Sequence, residues 1–447
     1  MLEYNDLTDG QKQAFDTAKR LIAGDPSIEK RHLTINGPAG TGKTTLTRFI
    51  IDDLIKTGTS GIMLAAPTHQ AKKILAKLAG MPAHTIHSVL KINPTTYEDE
   101  VEFVQSGDRP DLSECNVLFC DEASMYDKKL FKILIDTVPS NCTIIALGDI
   151  AQLQPVSPGS TSPETSLFFS NEHFEQVSLS EVKRSNGPII EVATALRKGK
   201  AIYDNRTPDT NEGVHNLYNA QSSVAALFEK YFEIVKTPED LLENRMLAFQ
   251  NKSVDKLNKI IRKKIYKTED PFVINEVIVM QEPLTVTQSF GGKKFTETIF
   301  NNGELVKIVK IKQVSKFISL TGVQDPVKIE AWELALESTE EDGAGVITVI
   351  EDEKQLEMFN RYMARAAKEF KTMKQRGLRP AWGQWWSTKN KFTKVKPLAC
   401  GTIHKSQGTS VDNVFLYTPC LYSTSAEMSQ QLLYVGVTRA RHNVFYI

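Results

Sequence analysis

The chain has 447 residues, 41% hydrophobic and 24% charged, with 54 basic side chains set against 54 acidic ones. That length is too great for one compact core and predicts roughly two to four domains. The lack of any run of about 18 apolar residues excludes a membrane span. Zero net charge withholds the cationic surplus usual in nucleic-acid binders, so a polyanionic partner must be argued from motifs.

The opening Met1-Leu2-Glu3-Tyr4-Asn5-Asp6 lacks the basic-then-apolar order of a secretory signal. Cys115, Cys120, Cys142, Cys400 and Cys420 form neither a CxxC pair nor a zinc spacing with histidine, and read as buried, reduced thiols of a cytoplasmic protein. Short apolar runs ending in polar or Gly-rich turns read as strands covered on both faces. They are His32 to Asn36, Gly61 to Ala66, Asn116 to Cys120 and Thr143 to Leu147, then Arg245 to Phe249, Leu398 to Thr402, Asn413 to Tyr417 and Asn443 to Ile447. Helical patterns at Thr44 to Lys56, His69 to Leu78 and Ser425 to Tyr434 separate several of them. The alternation predicts an α/β fold, with one parallel sheet from the first four strands and a second from the last four.

Between the two sheets, from about Pro271 to Ile350, the pattern changes. Turn signals at Gly291-Gly292, Asn301-Asn302-Gly303 and Gly343-Ala344-Gly345 join alternating segments, which predicts a small antiparallel β domain inserted into the second sheet's sequence. A helical stretch, Asp352 to Arg376, and a cluster of Trp382, Trp385 and Trp386 follow. A smaller interruption runs from Thr85 to Leu112, between the second and third strands.

Gly37-Pro38-Ala39-Gly40-Thr41-Gly42-Lys43-Thr44 fits G-x-x-x-x-G-K-[ST] without deviation, after a predicted strand and at the start of a predicted helix. Such a loop curls backbone N–H groups around phosphate oxygens, and the helix start, including Thr45, adds partial positive charge. Lys43 is the candidate for the β- and γ-phosphates and Thr44 for a Mg²⁺ ion, which makes a nucleoside triphosphate with Mg²⁺ the expected substrate and cofactor. Asp121-Glu122 directly follows an apolar strand, so Asp121 can hold the metal through its water shell while Glu122 polarises the attacking water. In Gly148-Asp149-Ile150-Ala151-Gln152-Leu153-Gln154-Pro155, Gln152 can sense the γ-phosphate, although a polar loop at a strand end is an equally ordinary reading. Arg184 and Arg439 can supply transition-state charge, or can be surface ion-pair formers; spacing alone leaves both open.

Taken in this order, the blocks resemble the superfamily 1B helicases, the RecD-like and Pif-like group, and most nearly its branch in T-even-like phages. The likeness spans essentially the whole chain. It is carried by Ala65-Ala66-Pro67-Thr68-His69, Thr85-Ile86-His87, Gly148 to Gln152, Thr402-Ile403-His404-Lys405-Ser406-Gln407-Gly408 and Tyr434-Val435-Gly436-Val437-Thr438-Arg439. It implies a RecA-like motor domain at 1–84 and 113–184, with a wedge insertion at 85–112. A second RecA-like domain follows at 185–270 and 396–447, with an SH3-like β-barrel inserted at 271–395.

By this resemblance Gln11 reads the adenine edge, whereas by itself it is a solvated helix residue. Pro67, Thr68, His69, His87, Thr402 and His404 match the lining of a single-strand track, and Gln407-Gly408 the part coupling track to nucleotide. Arg184 and Arg439 match two arginines aimed at the γ-phosphate from across the cleft, and Phe103 the aromatic of the wedge. Around Phe103 the segment Glu98-Asp99-Glu100-Val101-Glu102 is acidic for a DNA-facing hairpin, and Phe103 can equally pack under its own turn.

The implied activity is ATP-dependent translocation on single-stranded DNA, 5′ to 3′, with separation of a forked duplex. The implied state is a monomer in a host cytoplasm, with replication or recombination proteins as further partners. A translocase that leaves duplexes intact is the nearer rival. A GTPase switch is the more distant one, because Asn251-Lys252-Ser253-Val254-Asp255 has one residue too many for a guanine-reading Asn-Lys-x-Asp element.

Overall fold

The computed structural model describes residues 3–97, 100–105, 110–155, 164–181, 187–290, 293–340 and 342–447, with side chains outside that description at 93–105 and 287–297. Arg184, the Gly291-Gly292 turn and the side chain of Phe103 therefore lie outside the described residues.

Six parallel strands form the first sheet, in the order Ala83–Thr85, Ile62–Ala66, Val117–Cys120, Thr143–Gly148, His32–Asn36, Phe174–Ser178. Every residue of Val117–Cys120 is buried, as the unbroken apolar run predicts, and alternate side chains serve opposite faces. Val117 and Phe119 join Leu33, Ile35 and the helices Asp9–Ile22, Lys43–Lys56 and His69–Ala79. Leu118 and Cys120 face Tyr126, Phe131 and Phe168 instead. The two edge strands escape the apolar-run criterion. Ala83–Thr85 has three residues, and Phe174–Ser178 buries only Phe174 and Val177, one toward each face of the sheet.

The second sheet runs Cys400–Thr402, Asn244–Ala248, Val411–Leu416, Ala440–Tyr446, Gly213–Asn216, Asn205–Arg206, and only the short last strand is antiparallel. Helices Pro188–Arg197 and Ala426–Val437 cover one face, and Ser223–Ile234 and Asn251–Tyr266 the other.

The insertion in the second domain is antiparallel, in the order Ala344–Val349, Val327–Ser338, Leu305–Ile318, Val277–Met280, Val395–Pro397. A ribbon, Leu284–Phe290 with Lys293–Phe300, packs Leu284 and Phe300 against Ile347 and Val349 and so closes a small barrel. Its two central strands have 14 and 12 residues and run on past the barrel as an arm. At ~3.3 Å per residue such a strand reaches about 45 Å. Helix Glu353–Gln375 covers the arm, and Trp385, only 3% exposed, fills its core between Trp382 and Trp386. Trp385 is thus a core residue of the arm, with Trp382 and Trp386 packed partly buried against it.

In the first domain's insertion a short helix, Ile86–Val89, leads into an antiparallel hairpin, Ile92–Tyr97 with Glu100–Gln105, where Phe103 pairs with Pro94. Among the described residues no helix is long and apolar enough to cross a membrane.

Candidate nucleotide cleft and nucleic-acid track

Strand order decides what meets at the first sheet's carboxyl edge. His32–Asn36 and Val117–Cys120 flank Thr143–Gly148, so their following loops converge, the place where open α/β sheets gather ligand groups. The phosphate loop follows the first of these, Asp121-Glu122 the second and Asp149 the third. Gly37 N–H donates to the Gly148 carbonyl at 3.0 Å, which ties the phosphate loop to the third strand.

Gly42, at φ +76°, caps the helix Lys43–Lys56, and a Cβ there would meet Gln11 Nε2 at 2.7 Å. Only glycine suits that position, on backbone and on space. Lys43 donates to the carbonyls of Gly37 (2.5 Å) and Pro38 (3.1 Å), folding its ammonium over the cradle. Thr44 lies half-buried and Thr45 exposed on the first helical turn, and Pro38, Ala39, Gly40 and Thr41 complete the loop.

Gln11 is 2% exposed rather than solvated. Its Oε1 accepts from Thr8 N–H (3.0 Å) and its Nε2 donates to the Thr41 carbonyl (2.9 Å). The side chain thus closes a capping box and anchors the phosphate loop, leaving one amide hydrogen for a base edge.

The carboxylate pair is electrostatically loaded. Burial, then the charge of Glu122, pushes the Asp121 carboxyl up to about 7, against an opposing pull from Lys43. Glu122 sits at φ +49°, a left-handed backbone that costs a non-glycine residue on the order of 1 kcal/mol. The turn aims the two carboxylates differently instead of alternating them along a strand.

From the second domain Arg439, 7% exposed, lies within the field of Glu122. Burial lowers its pKa and the Glu122 charge works against that. Its guanidinium is held by the carbonyls of Val435 (3.1 Å) and Thr409 (3.2 Å) and by Thr438 Oγ1 (3.0 Å). Gln152, 4% exposed, accepts from Gln407 Nε2 at 3.5 Å, a direct link between the two domains.

A second link is tighter. Asp149 is fully buried, and its Oδ2 accepts from the Tyr434 hydroxyl at 2.5 Å. Its Oδ1 accepts from Arg197 Nη2 (3.1 Å) and from Ala151 N–H (3.1 Å). The same Tyr434 oxygen accepts from the phosphate-loop N–H of Ala39 at 3.3 Å. One phenol therefore touches both the loop and the acidic hinge. Asp149 and Tyr434 fall within blocks visible in the sequence, but their pairing is not; Arg197 carries no sequence signal at all.

The candidate track residues lie at or just past the carboxyl ends of strands in both sheets, on the connecting turns or the first turns of the helices that follow. Pro67 precedes Thr68, whose Oγ1 caps the helix His69–Ala79 by accepting from Ala71 N–H (3.1 Å). His69 has a buried Nδ1 with no hydrogen-bond partner among the described residues, and His87 and Glu304 act on its charge. Burial, helped by Lys72, lowers the His69 pKa to about 4, and burial also lowers His87 and His404. All three imidazoles are neutral near pH 7. Thr402 ends its strand and accepts from Lys405 N–H (3.3 Å), and the His404 ring lies 5.7 Å from Phe249. Gly408, at φ +77°, faces Ala71 of the first domain, where a Cβ on residue 408 would lie 3.8 Å from the Ala71 Cβ, just behind Thr68.

Three family models match parts of the chain. The AAA domain family matches residues 7–217, the Dda helicase SH3 domain family 269–397, and the UvrD-like helicase C-terminal domain family 397–447. The chain is 50% identical over 448 residues to the ATP-dependent DNA helicase Dda of Enterobacteria phage T4, covering 100% of both chains. It is 28% identical over 173 residues to the ATP-dependent RecD2 DNA helicase of Deinococcus radiodurans, covering 38% of this chain and 22% of that one. Among solved structures, the Pif1 helicase of Candida albicans superposes with a TM-score of 0.48 at 16% identity, covering 100% of this chain and 95% of that one.

Proposed function

The chain belongs to the family of the ATP-dependent DNA helicase Dda, and from that premise we propose that it hydrolyses ATP to step along single-stranded DNA, 5′ to 3′, and parts the duplex ahead. The observation that carries the mechanism is the junction of the two motor domains at the phosphate loop, where the Tyr434 hydroxyl of one meets Asp149 and Ala39 N–H of the other, with Arg439 buried just past the helix that carries Tyr434. A cleft whose catalytic charges come from two bodies gains full stabilisation only when those bodies meet.

In this reading the N–H groups of residues 37 to 45 and the Lys43 ammonium bind the phosphates, and Gln11 offers its remaining amide hydrogen to the adenine edge. Glu122 accepts a proton from the attacking water at a carboxylate oxygen, Gln152 orients that water, and Arg439 meets the charge that grows on the γ-phosphoryl group. Arg184 is assigned the same task on the strength of the family resemblance. The donor set fits Mg²⁺, because Asp121 is a carboxylate whose ionised form is disfavoured until a cation faces it, and Thr44 adds a hydroxyl. When bound, the ion would neutralise phosphate charge.

Single-stranded DNA would lie across Pro67, Thr68, His69, His87, Thr402 and His404. Because the three imidazoles are neutral, they would grip by hydrogen bonding and stacking, which tolerate base sequence. Hydrolysis would release the Arg439 contact, reopen the cleft and shift one grip relative to the other through Gln407, Gly408 and the Tyr434 link. Phe103 on its hairpin would meet the last base pair. A base-pair step averages about 1.4 kcal/mol of stacking, a small load for an ATP-driven step.

Two measurements test this. Lys43→Ala should abolish DNA-stimulated ATP turnover with the fold intact, and substantial remaining turnover would refute the site. A duplex with a 5′ overhang should be unwound and one with a 3′ overhang should not; the reverse pattern sinks the polarity. ATPase without any unwinding makes the protein a translocase instead.

A further inference from the structure

One strongly charged surface takes no part in the cleft or the track. Residues 361–379 hold seven lysines and arginines against one glutamate, Glu369, in a chain whose net charge is zero. They form the second half of helix Glu353–Gln375 and the turn after it, packed on the far end of the barrel's arm. Leu320 N–H donates to Tyr362 Oη (3.0 Å), and Arg365 Nη2 donates to the Gln324 carbonyl (2.7 Å), so the helix is pinned to the arm's tip.

The opposite end of the long strands faces the first motor domain, where Lys73 pairs with Glu340 at 3.4 Å. The basic face therefore stands off the body on a rigid strut. Arg361, Arg365, Lys368, Lys374, Arg376 and Arg379 are all exposed. Arg361 pairs with Glu357, and Arg365 with Asp325 and Glu369. Lys368, Lys374, Arg376 and Arg379 meet no carboxylate among the described residues. Compensation of the helix dipole accounts only for Lys374, the one basic residue in the last turn.

We propose that this face binds the phosphate backbone of duplex DNA while the cleft works on the single strand, an inference that rests on the helicase reading above. From Arg361 to Arg376 the helix rises about 22 Å, a rigid row of cations matching a polyanion with one charge per ~1.7 Å of axis. Single strands are gripped by rows of exposed aromatic platforms, whereas here Trp385 is buried, Trp382 and Trp386 pack partly buried against the arm's core, and Phe317 at the arm's tip stands exposed as a single ring. A groove of about 440 Å³ beside Gly322, Arg365, Lys368, Thr372 and Arg376, with Glu369 as its one acidic lining residue, gives the row a concave flank. This contact would let the arm hold the duplex against the recoil of each step.

The test compares the full chain with the fourfold variant Lys368→Gln, Lys374→Gln, Arg376→Gln, Arg379→Gln. Binding of a blunt-ended duplex is followed by fluorescence anisotropy over a salt series, and single-strand-stimulated ATPase is measured beside it. If each side chain neutralises one phosphate, the slope of log K against log salt should fall in magnitude by about 3 to 4, with the ATPase unchanged. An equal slope in the two proteins overturns the proposal. So does a parallel loss of single-strand-stimulated ATPase, which would place the face on the track or in the fold. Weakened binding of a poly-glutamate peptide with duplex binding intact would assign the face to an acidic protein segment and also overturn it. A parent chain without single-strand-stimulated ATPase would sink the helicase reading, independently of the duplex result.

Discussion

Replacing Tyr434 by phenylalanine removes one oxygen from the junction of the two motor domains and leaves the ring in its core cluster. That oxygen donates to the fully buried Asp149 at 2.5 Å and accepts from Ala39 N–H of the phosphate loop at 3.3 Å. A buried hydrogen bond to a charged group contributes about 1.5–3 kcal/mol, and about 1.4 kcal/mol is a factor of ten. Asp149 would keep Arg197 and Ala151 N–H, so the loss belongs at the lower end of that range. Because the bond joins the domains, it should be read out in their closure. The expected result for Tyr434→Phe is a kcat for single-strand-stimulated ATP hydrolysis lowered about tenfold, KM for ATP within about twofold, and a melting temperature close to the parent's. Steady-state turnover over an ATP series measures all but the last, which calorimetry supplies. A kcat within twofold of the parent would show that the phenol only fills space.

Arg439→Ala should lower turnover by on the order of 10³ while binding of a fluorescent ATP analogue persists; turnover near the parent's would remove the arginine from the chemistry. Arg262 pairs bidentately with Glu276 (2.6 and 2.8 Å), whose side chain is 2% exposed, at the joint between second motor domain and barrel. Arg262→Ala strands that carboxylate and should cost about 3–5 kcal/mol in urea unfolding; a loss under about 1 kcal/mol contradicts the burial argument. His32 Nδ1 accepts from Ile144 N–H (3.1 Å), and burial holds its pKa at about 4. The folded value lies below the unfolded one of about 6.5, so this stability is complete above that pH and is lost as pH falls toward 4, by up to about 2–3 kcal/mol. Urea midpoints should fall less steeply between pH 7 and 4.5 in His32→Gln than in the parent, and parallel curves would argue against it.

What could be read in the chain was what neighbours in sequence decide. The stretch from Gly37 to Thr44 makes a phosphate cradle from local backbone, with glycines at the positive φ of Gly40 and Gly42. Val117–Cys120 announces a strand buried on both faces, and Thr8, Thr68 and Ser425 cap the helices they precede. The edge strands were hidden, because three residues, or a pentamer with apolar side chains only at Phe174 and Val177, leave no apolar run to find.

The tertiary structure alone decided which of these pieces meet. Asp149 and Tyr434 are 285 residues apart, and Asp149 and Arg197 are 48 apart. Only the order of strands in two sheets, and the packing of one sheet's loops on the other's, brings them to one point. Burial likewise made Gln11 a two-ended clamp, left His69, His87 and His404 neutral, and put Trp385 inside the arm. Protonation state and partnership depend on the surrounding dielectric and on contacts distant in sequence, and neither exists until the chain has closed on itself.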